Sequence, residues 1–370
     1  MRARELGVSI GRASTGSSNA ITDVDGVRVG HATVIEGDGP LIVGSGPVRT
    51  GVTVIVPCED VGEAPVFAGS HRLNGNGEMT GLAWVRESGM LTTPVGLTNT
   101  HSVGVVRDAL VGADAERHGP ATSYWSLPVV AETWDGMLND ISGMHVRALH
   151  ADAALDAASG GPVAEGNVGG GTGMICHDFK GGIGTASRVV PEAGDAVVGV
   201  IVQANHGRRH RLRVDGVPVG EEVGLDEVPG PVEGSGMAGA GSIIAIVATD
   251  APLLPHQCER LAQRAGLGVA RTGGVGEQTS GDLFLAFATG NRGRLSSYKL
   301  GGSPHTVEIE MLSDLAMTPM YDAVVEATEE AIVNALLAAE TMTGRDGITA
   351  FALDPGRLLE AMSAYGRAPA

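Results

Sequence analysis

The chain has 370 residues, 43% hydrophobic and 18% charged, a composition that supports a large packed core and excludes fibrous or disordered classes. Its formal net charge of −18 opposes a general affinity for nucleic acid or anionic membranes, and no segment reaches the roughly 18 apolar residues that a membrane span requires. Three scattered cysteines, Cys58, Cys176 and Cys258, give no disulfide framework, and the N-terminal segment lacks the apolar stretch of a signal peptide, so the cytoplasm is the expected location.

In chain order, residues 27–35 and 51–57 read as strands. The Asn-Gly pairs of LNGNGEMTG, residues 73–81, call for a tight turn. A short strand at 95–98 leads into a helix over 103–116, capped by Thr100 or Ser102. The apolar run 127–131 delivers the chain to Glu132, behind which Thr133, Asp135, Asn139 and Asp140 crowd together. Such a group belongs either to a site at a strand end or to a capped turn. A helix is expected over 146–159. The glycine-rich segment 165–188 reads as close-packed turns, because its GGGTGM lacks the Lys-Ser/Thr of a phosphate-binding loop.

Residues 196–203, AVVGVIVQ, form a buried strand that ends near Asn205. His206 and His210 follow, but Gly207 occupies the place of the glutamate that a zinc-protease motif needs, so no catalytic metal is expected. The basic run there reads as a solvated hairpin, and 214–241 as a Gly- and Pro-rich linker. Beyond it come strand 242–248, helix 254–265, strands 283–288 and 306–311, and a helix over 319–343. That last helix should turn Val325, Ile332, Val333 and Leu336 inward and Glu326, Glu329 and Glu330 to water.

The junction Gly241–Ser242 concentrates the chemistry. A glycine-rich approach meets the apolar run SIIAIV with no polar turn between them. One reading is a loop feeding an ordinary core strand. The other is a chain that cuts itself: the Ser242 hydroxyl attacks the Gly241 carbonyl, and water resolves the ester. Ser242 would then carry both a hydroxyl and an α-amine, whose reference pKa of about 7.7 to 8.0 suits a base near neutrality.

Motifs along the whole chain resemble the L-aminopeptidase/D-esterase and β-aminopeptidase family of self-processing serine aminopeptidases. They are NAITDVDGVRVGH (19–31), GPVRTGVTVI (46–55), NGNGE (74–78), PVVAETWDGMLND (128–140), FKGGIGTASR (179–188), VQANHG (202–207), GSIIAIVATDAPLLPHQ (241–257), and ARTGG with SGDLFLAFATGN (270–291). The resemblance implies an α+β fold, a four-layer αββα sandwich of the type shared with ornithine acetyltransferases and similar in layout to N-terminal-nucleophile hydrolases. It implies cleavage between Gly241 and Ser242 into chains 1–241 and 242–370 that together form one domain.

Carried over by position, Ser242 is the nucleophile, Asn205 helps hold the oxyanion, Glu132 binds the substrate's free ammonium, and Ser280 and Asp282 form a Ser-x-acid pair beside Ser242. Other members place a tyrosine after the equivalent of Glu132; here Trp134 and Met137 offer no hydroxyl, and the Trp134 indole N–H stands as the substitute. No cofactor and no metal are expected, nor a nucleic-acid or membrane partner given the acidic charge; the resemblance implies peptide, amide or ester substrates with a free N-terminal amine, and a homo-oligomer, a tetramer of processed heterodimers, is expected. The competing readings are an inactive or ligand-binding relative and an acyltransferase like ornithine acetyltransferase, whose new N-terminal residue is threonine.

Overall fold

Strands with apolar residues on both faces demand cover on both sides, and that requirement explains the layering. The computed structural model describes residues 1–119, 125–231, 241–294 and 306–367. Its strands are β1 (Arg28–Glu36), β2 (Val48–Val56), β3 (Val66–Arg72), β4 (Met90–Leu91), β5 (Val95–Asn99), β6 (Val129–Thr133), β7 (Ile175–Cys176), β8 (Phe179–Lys180), β9 (Gly182–Val190), β10 (Ala196–Ala204), β11 (Ile243–Thr249), β12 (Leu283–Ala288), β13 (Met342–Thr343) and β14 (Thr349–Ala350). The helices are α1 (Leu82–Ser88), α2 (Val103–His118), α3 (Ala148–Asp156), α4 (Val219–Glu222), α5 (Pro255–Arg271), α6 (Met317–Ala338) and α7 (Pro355–Ala364).

One sheet has the order β1-β2-β5-β6 and the other β4-β3-β12-β11-β10-β9. Along β11 the side chains alternate between two cores. Ile244, Ile246 and Ala248 join Ile55, Leu97 and Ala131 between the sheets, whereas Ile243, Ala245 and Val247 join α5 and α6 on the outer face. The four-stranded sheet is covered in turn by Val106 and Leu110 of α2 and Ala151 and Ala154 of α3 against Val52 and Val54. The result is an αββα sandwich. Helix α6 lies directly on β9: a Cβ on Gly184 would sit 1.9 Å from the Ala331 carbonyl, so only glycine admits that approach.

Several expectations need correction. The segment 165–188 is not only turns, since it contains β9, a nine-residue strand. Its Thr185, Ser187 and Arg188 are polar yet buried, which hid it from hydropathy. Residues 66–72 also form an unforeseen strand. Conversely, no strand forms over 306–311; Val307, Ile309 and Met311 alternate correctly but stay exposed, and among the described residues no strand pairs with them. The last long helix ends at Ala338 rather than at residue 343.

Nor do Glu326, Glu329 and Glu330 face water; Glu326 meets the buried Arg188 at 3.1 Å. Glu330 is fully buried and meets Arg188 Nη2 at 2.6 Å and Arg4 Nε at 2.9 Å, while Glu329 meets Arg271 at 2.7 Å. The basic run after Asn205 is a single 3-10 turn, Arg209–Arg211, with Arg209 buried over the Phe179 ring, rather than a solvated hairpin. Residues 232–240 of the expected linker lie outside the described residues, and 219–222 of it are helical. No helix among the described residues is long and apolar enough to cross a membrane.

The Arg188–Glu330 pair links β9 to α6 where no water can replace either partner. Removing one side of such a pair costs about 3–5 kcal/mol because the other charge is stranded. Arg188→Met should therefore lower the free energy of urea unfolding by that much, whereas Arg294→Met, which breaks an exposed pair with Glu310, should change it by under about 1 kcal/mol.

Candidate active site

The site forms where strand ends from both sheets converge. Strands β10 and β11 are antiparallel with Ala204 opposite Ile243, and β11 and β12 are parallel with Ile244 opposite Leu283. The C-terminal end of β10 therefore lies beside the N-terminal ends of β11 and β12. Residues just outside these strands are Asn205, Ser242 and the Ser280–Asp282 loop. In the other sheet β5 and β6 are parallel, Thr98 opposite Glu132, and they end at the same place. Glu132 thus lies within a strand, not behind one as expected.

Ser242 is buried, and its Oγ accepts a hydrogen bond from the Gly281 N–H at 2.9 Å. On either side of that amide, Ser280 Oγ donates to Asp282 Oδ1 at 2.5 Å. The same carboxylate oxygen takes the Ile243 N–H at 3.1 Å. Burial raises the Asp282 carboxyl above its ordinary range, against the lowering effect of these donors. The Asn205 side chain is held at both ends: Oδ1 accepts the Ile175 N–H at 2.7 Å and Nδ2 donates to the Trp134 carbonyl at 2.9 Å. Gly241 lies against its backbone. A Cβ at position 241 would fall 1.7 Å from the Asn205 carbonyl oxygen, so no other residue fits there.

A cavity of about 370 Å³ opens in front of Ser242, with Glu78, Thr100, Glu132, Trp134 and Gly241 among its lining residues. Asn205, Ser280 and Asp282 are not among the residues lining this cavity. The Glu132 carboxylate is buried at 3% exposure; Oε1 accepts the Glu78 N–H at 3.0 Å and Oε2 the Thr100 hydroxyl. Burial raises its pKa, with the Thr100 and Glu78 hydrogen bonds opposing. The Trp134 indole packs over Gly136, where a Cβ would meet ring atoms at 2.6 Å. Thr133, Asp135, Asn139 and Asp140 do not line the cavity. Thr133 accepts from Gln203 at 2.8 Å, Asn139 donates to Asp135 at 3.0 Å, and Asp140 caps a 3-10 turn.

Sequence reasoning missed the clamp that holds the 277–282 loop. Asn74 Oδ1 accepts the Asp282 N–H at 2.6 Å, Asn76 Nδ2 donates to the Thr279 carbonyl at 2.7 Å, and Asn76 N–H donates to the Ser280 carbonyl at 3.2 Å. The Asn-Gly repeat was the available signal, read only as a turn.

The model of peptidase family S58 matches residues 19–350. The chain belongs to peptidase family S58. It is 50% identical to the β-peptidyl aminopeptidase BapA of Sphingosinicella microcystinivorans, across 99% of this chain and 93% of that one, and 47% identical to the BapA of Sphingosinicella xenopeptidilytica. Among solved structures, a β-aminopeptidase from a Burkholderia species superposes with a TM-score of 0.91 at 54% identity, covering 99% of both chains. The L-aminopeptidase D-Ala-esterase/amidase of Ochrobactrum anthropi, described as a prototype of the serine aminopeptidases and a variant of the Ntn-hydrolase fold, gives 0.89 at 44% identity, again over 99% of both. The expected family and fold type hold, and the S58 chain is a self-processing serine aminopeptidase.

Glu132 makes a pH prediction. Only its carboxylate attracts an ammonium, and its pKa lies above the ordinary value of about 4.3, so that attraction is lost as pH falls through the raised value. A role for Glu132 in holding a substrate ammonium therefore predicts that Glu132→Gln removes its part of the acid limb of kcat/KM on free-amine substrates while lowering kcat/KM about a hundredfold or more.

Proposed function

We propose that Ser242 is the nucleophile of both self-cleavage and catalysis, and that the substrate is a peptide, amide or ester with a free N-terminal amine, preferentially that of a β-amino acid. One observation carries the reading: a buried serine hydroxyl and a buried, hydrogen-bonded carboxylate face the same cavity. The carboxylate recognises the terminal ammonium, and the serine meets the carbonyl next to it. A chain with no free end offers no such cation, which confines cleavage to the first residue. The β-amino acid preference rests on relatives at 47–54% identity that are named for it.

In self-cleavage the Ser242 hydroxyl attacks the Gly241 carbonyl, the peptide nitrogen leaves as the amine of Ser242, and water hydrolyses the ester. Turnover repeats the chemistry on the substrate: Oγ attacks its carbonyl, the leaving amine or alcohol departs, and water releases the acyl group. The Asn205 amide, whose Nδ2 keeps a second N–H beyond the one given to the Trp134 carbonyl, is the nearby donor for the developing oxyanion; one such donor is worth about 3–4 kcal/mol in other hydrolases. Ser280 donates its own proton to Asp282, so its lone pairs remain to accept the proton of Ser242. The raised pKa of Asp282 makes that carboxylate a better proton acceptor. The α-amine of Ser242 cannot serve the first step, since until the cut it is an amide. Processing leaves 1–241 and 242–370 in one domain. The assembly we propose is a homo-oligomer, a tetramer of processed pairs, and its compartment the cytoplasm, in keeping with three buried free cysteines.

N-terminal sequencing of active protein should find a fragment beginning at Ser242, and Ser242→Ala should remain a single 370-residue band. A single band from active wild-type protein would overturn the assignment. β-Alanyl p-nitroanilide should be cleaved with higher kcat/KM than L-alanyl p-nitroanilide, and N-acetyl-β-alanyl p-nitroanilide not at all.

The relay is tested separately. Ser280→Ala and Asp282→Asn should slow both self-cleavage and turnover, each by about 10²–10⁴-fold, the range for a positioned acid or base. Normal processing with lost peptidase activity would assign the base to the α-amine instead.

A further inference from the structure

Three side chains behind Asn205 take no part in that chemistry. Cys176, His177 and His206 each offer a ligand atom, these atoms lie within 4.8 Å of one another, and the residues are exposed by only 0%, 0% and 5%. Cys176 Sγ stands 3.8 Å from His206 Nδ1. Metal bonds of about 2.3 Å to sulfur and 2.0–2.1 Å to nitrogen, at tetrahedral to trigonal angles, place two such ligands roughly 3.6–3.8 Å apart.

The hydrogen bonding points the same way. His177 Nδ1 lies 3.1 Å from the Arg208 carbonyl oxygen and so carries the donated proton. That leaves His177 Nε2 as a lone pair, buried without a hydrogen-bond partner. Buried polar nitrogens are seldom left so, and a ring N–H given to a backbone carbonyl is how metal-ligating histidines are usually oriented. The His177 ring is also fixed by Gly207, where a Cβ would meet ring atoms at 2.3 Å.

We propose that Cys176, His177 and His206 form a structural site for a thiophilic d¹⁰ cation, Cu⁺ or Zn²⁺. Among the described residues no fourth Cys, His, Asp or Glu joins the group, which suits trigonal Cu⁺ better than tetrahedral Zn²⁺. The sequence pattern misled because His206 pairs with the distant His177, not with His210. The ion ties β7 to the end of β10. The His177 N–H already donates to the His206 carbonyl at 2.7 Å, one step from the Ile175 bond that aims Asn205. The site therefore fixes a donor of the catalytic machinery without touching substrate.

The test is to express the full chain in media supplemented separately with copper, zinc or cobalt, purify it without chelator, and count metal per chain by mass spectrometry. Wild-type protein should hold about one equivalent of copper or zinc, and the cobalt form should show a near-ultraviolet thiolate-to-cobalt charge-transfer band. Cys176→Ala should lower bound metal at least about tenfold and remove the band, the usual scale for a lost ligand or its support. Cys58→Ala should leave both unchanged. The copper and zinc counts separate the two ions. Metal-free wild-type protein from all three media overturns the proposal, even if Cys176→Ala does not fold; so does metal retained at full occupancy by both Cys176→Ala and His177→Ala.

Discussion

The antiparallel register of β10 and β11 is the constraint on which the site depends. With Ala204 opposite Ile243, the next step of the ladder joins the Asn205 N–H to the Ser242 carbonyl at 3.2 Å and seats Gly241 against the Asn205 backbone. A slip of one residue would send every side chain of β11 into the opposite core and take Ser242 away from the Gly281 amide. The same strand reaches across the sandwich. Gln203 Nε2 donates to the Thr98 carbonyl at 2.9 Å and to Thr133 Oγ1, fixing the distance between the sheets next to Glu132. One strand thus sets both the position of Ser242 and the depth of the cavity facing it.

How much of this was legible depended on whether a residue's environment is written in its own neighbourhood. Strands β10, β11 and β12 announced themselves because both faces are buried and nearly every residue is apolar. Strand β9 did not, because its inward positions include Arg188, whose burial is intelligible only from Glu330, far along the chain. The acids of α6 failed for the same reason. A helix whose charged residues meet buried arginines looks, from periodicity alone, like one with a wet face.

The candidate site residues came from the junction at Ser242 and from a family resemblance spread over the chain, and the fold gathers them at one end of the two sheets. What the motifs did not carry is the division of labour. Ser280, Asp282 and Asn205 brace Ser242 from behind, Glu132 and Trp134 form the opposite wall, and Asp135 and Asn139 only support. The Asn74–Gly77 turn was also visible, yet its task of clamping the 277–282 loop through side-chain amides rests on contacts some two hundred residues away. The Cys176–His177–His206 cluster was invisible on the same account.

The strand order has a consequence for how the processed molecule holds together. Strands β11 and β12, from the segment after the proposed Gly241–Ser242 cut, lie between β3 and β10, from the segment before it. Neither product owns the complete six-stranded sheet, and separating them would bare two ladders of backbone donors and acceptors where β12 meets β3 and β11 meets β10. Before processing, refolding is unimolecular, since the chain carries all its partners. Afterwards it requires two molecules to meet, so recovery from denaturation becomes dependent on concentration. Such a cut would leave the native contacts almost unchanged but make refolding slow at low concentration, and the mature enzyme's persistence would then depend on how slowly it unfolds.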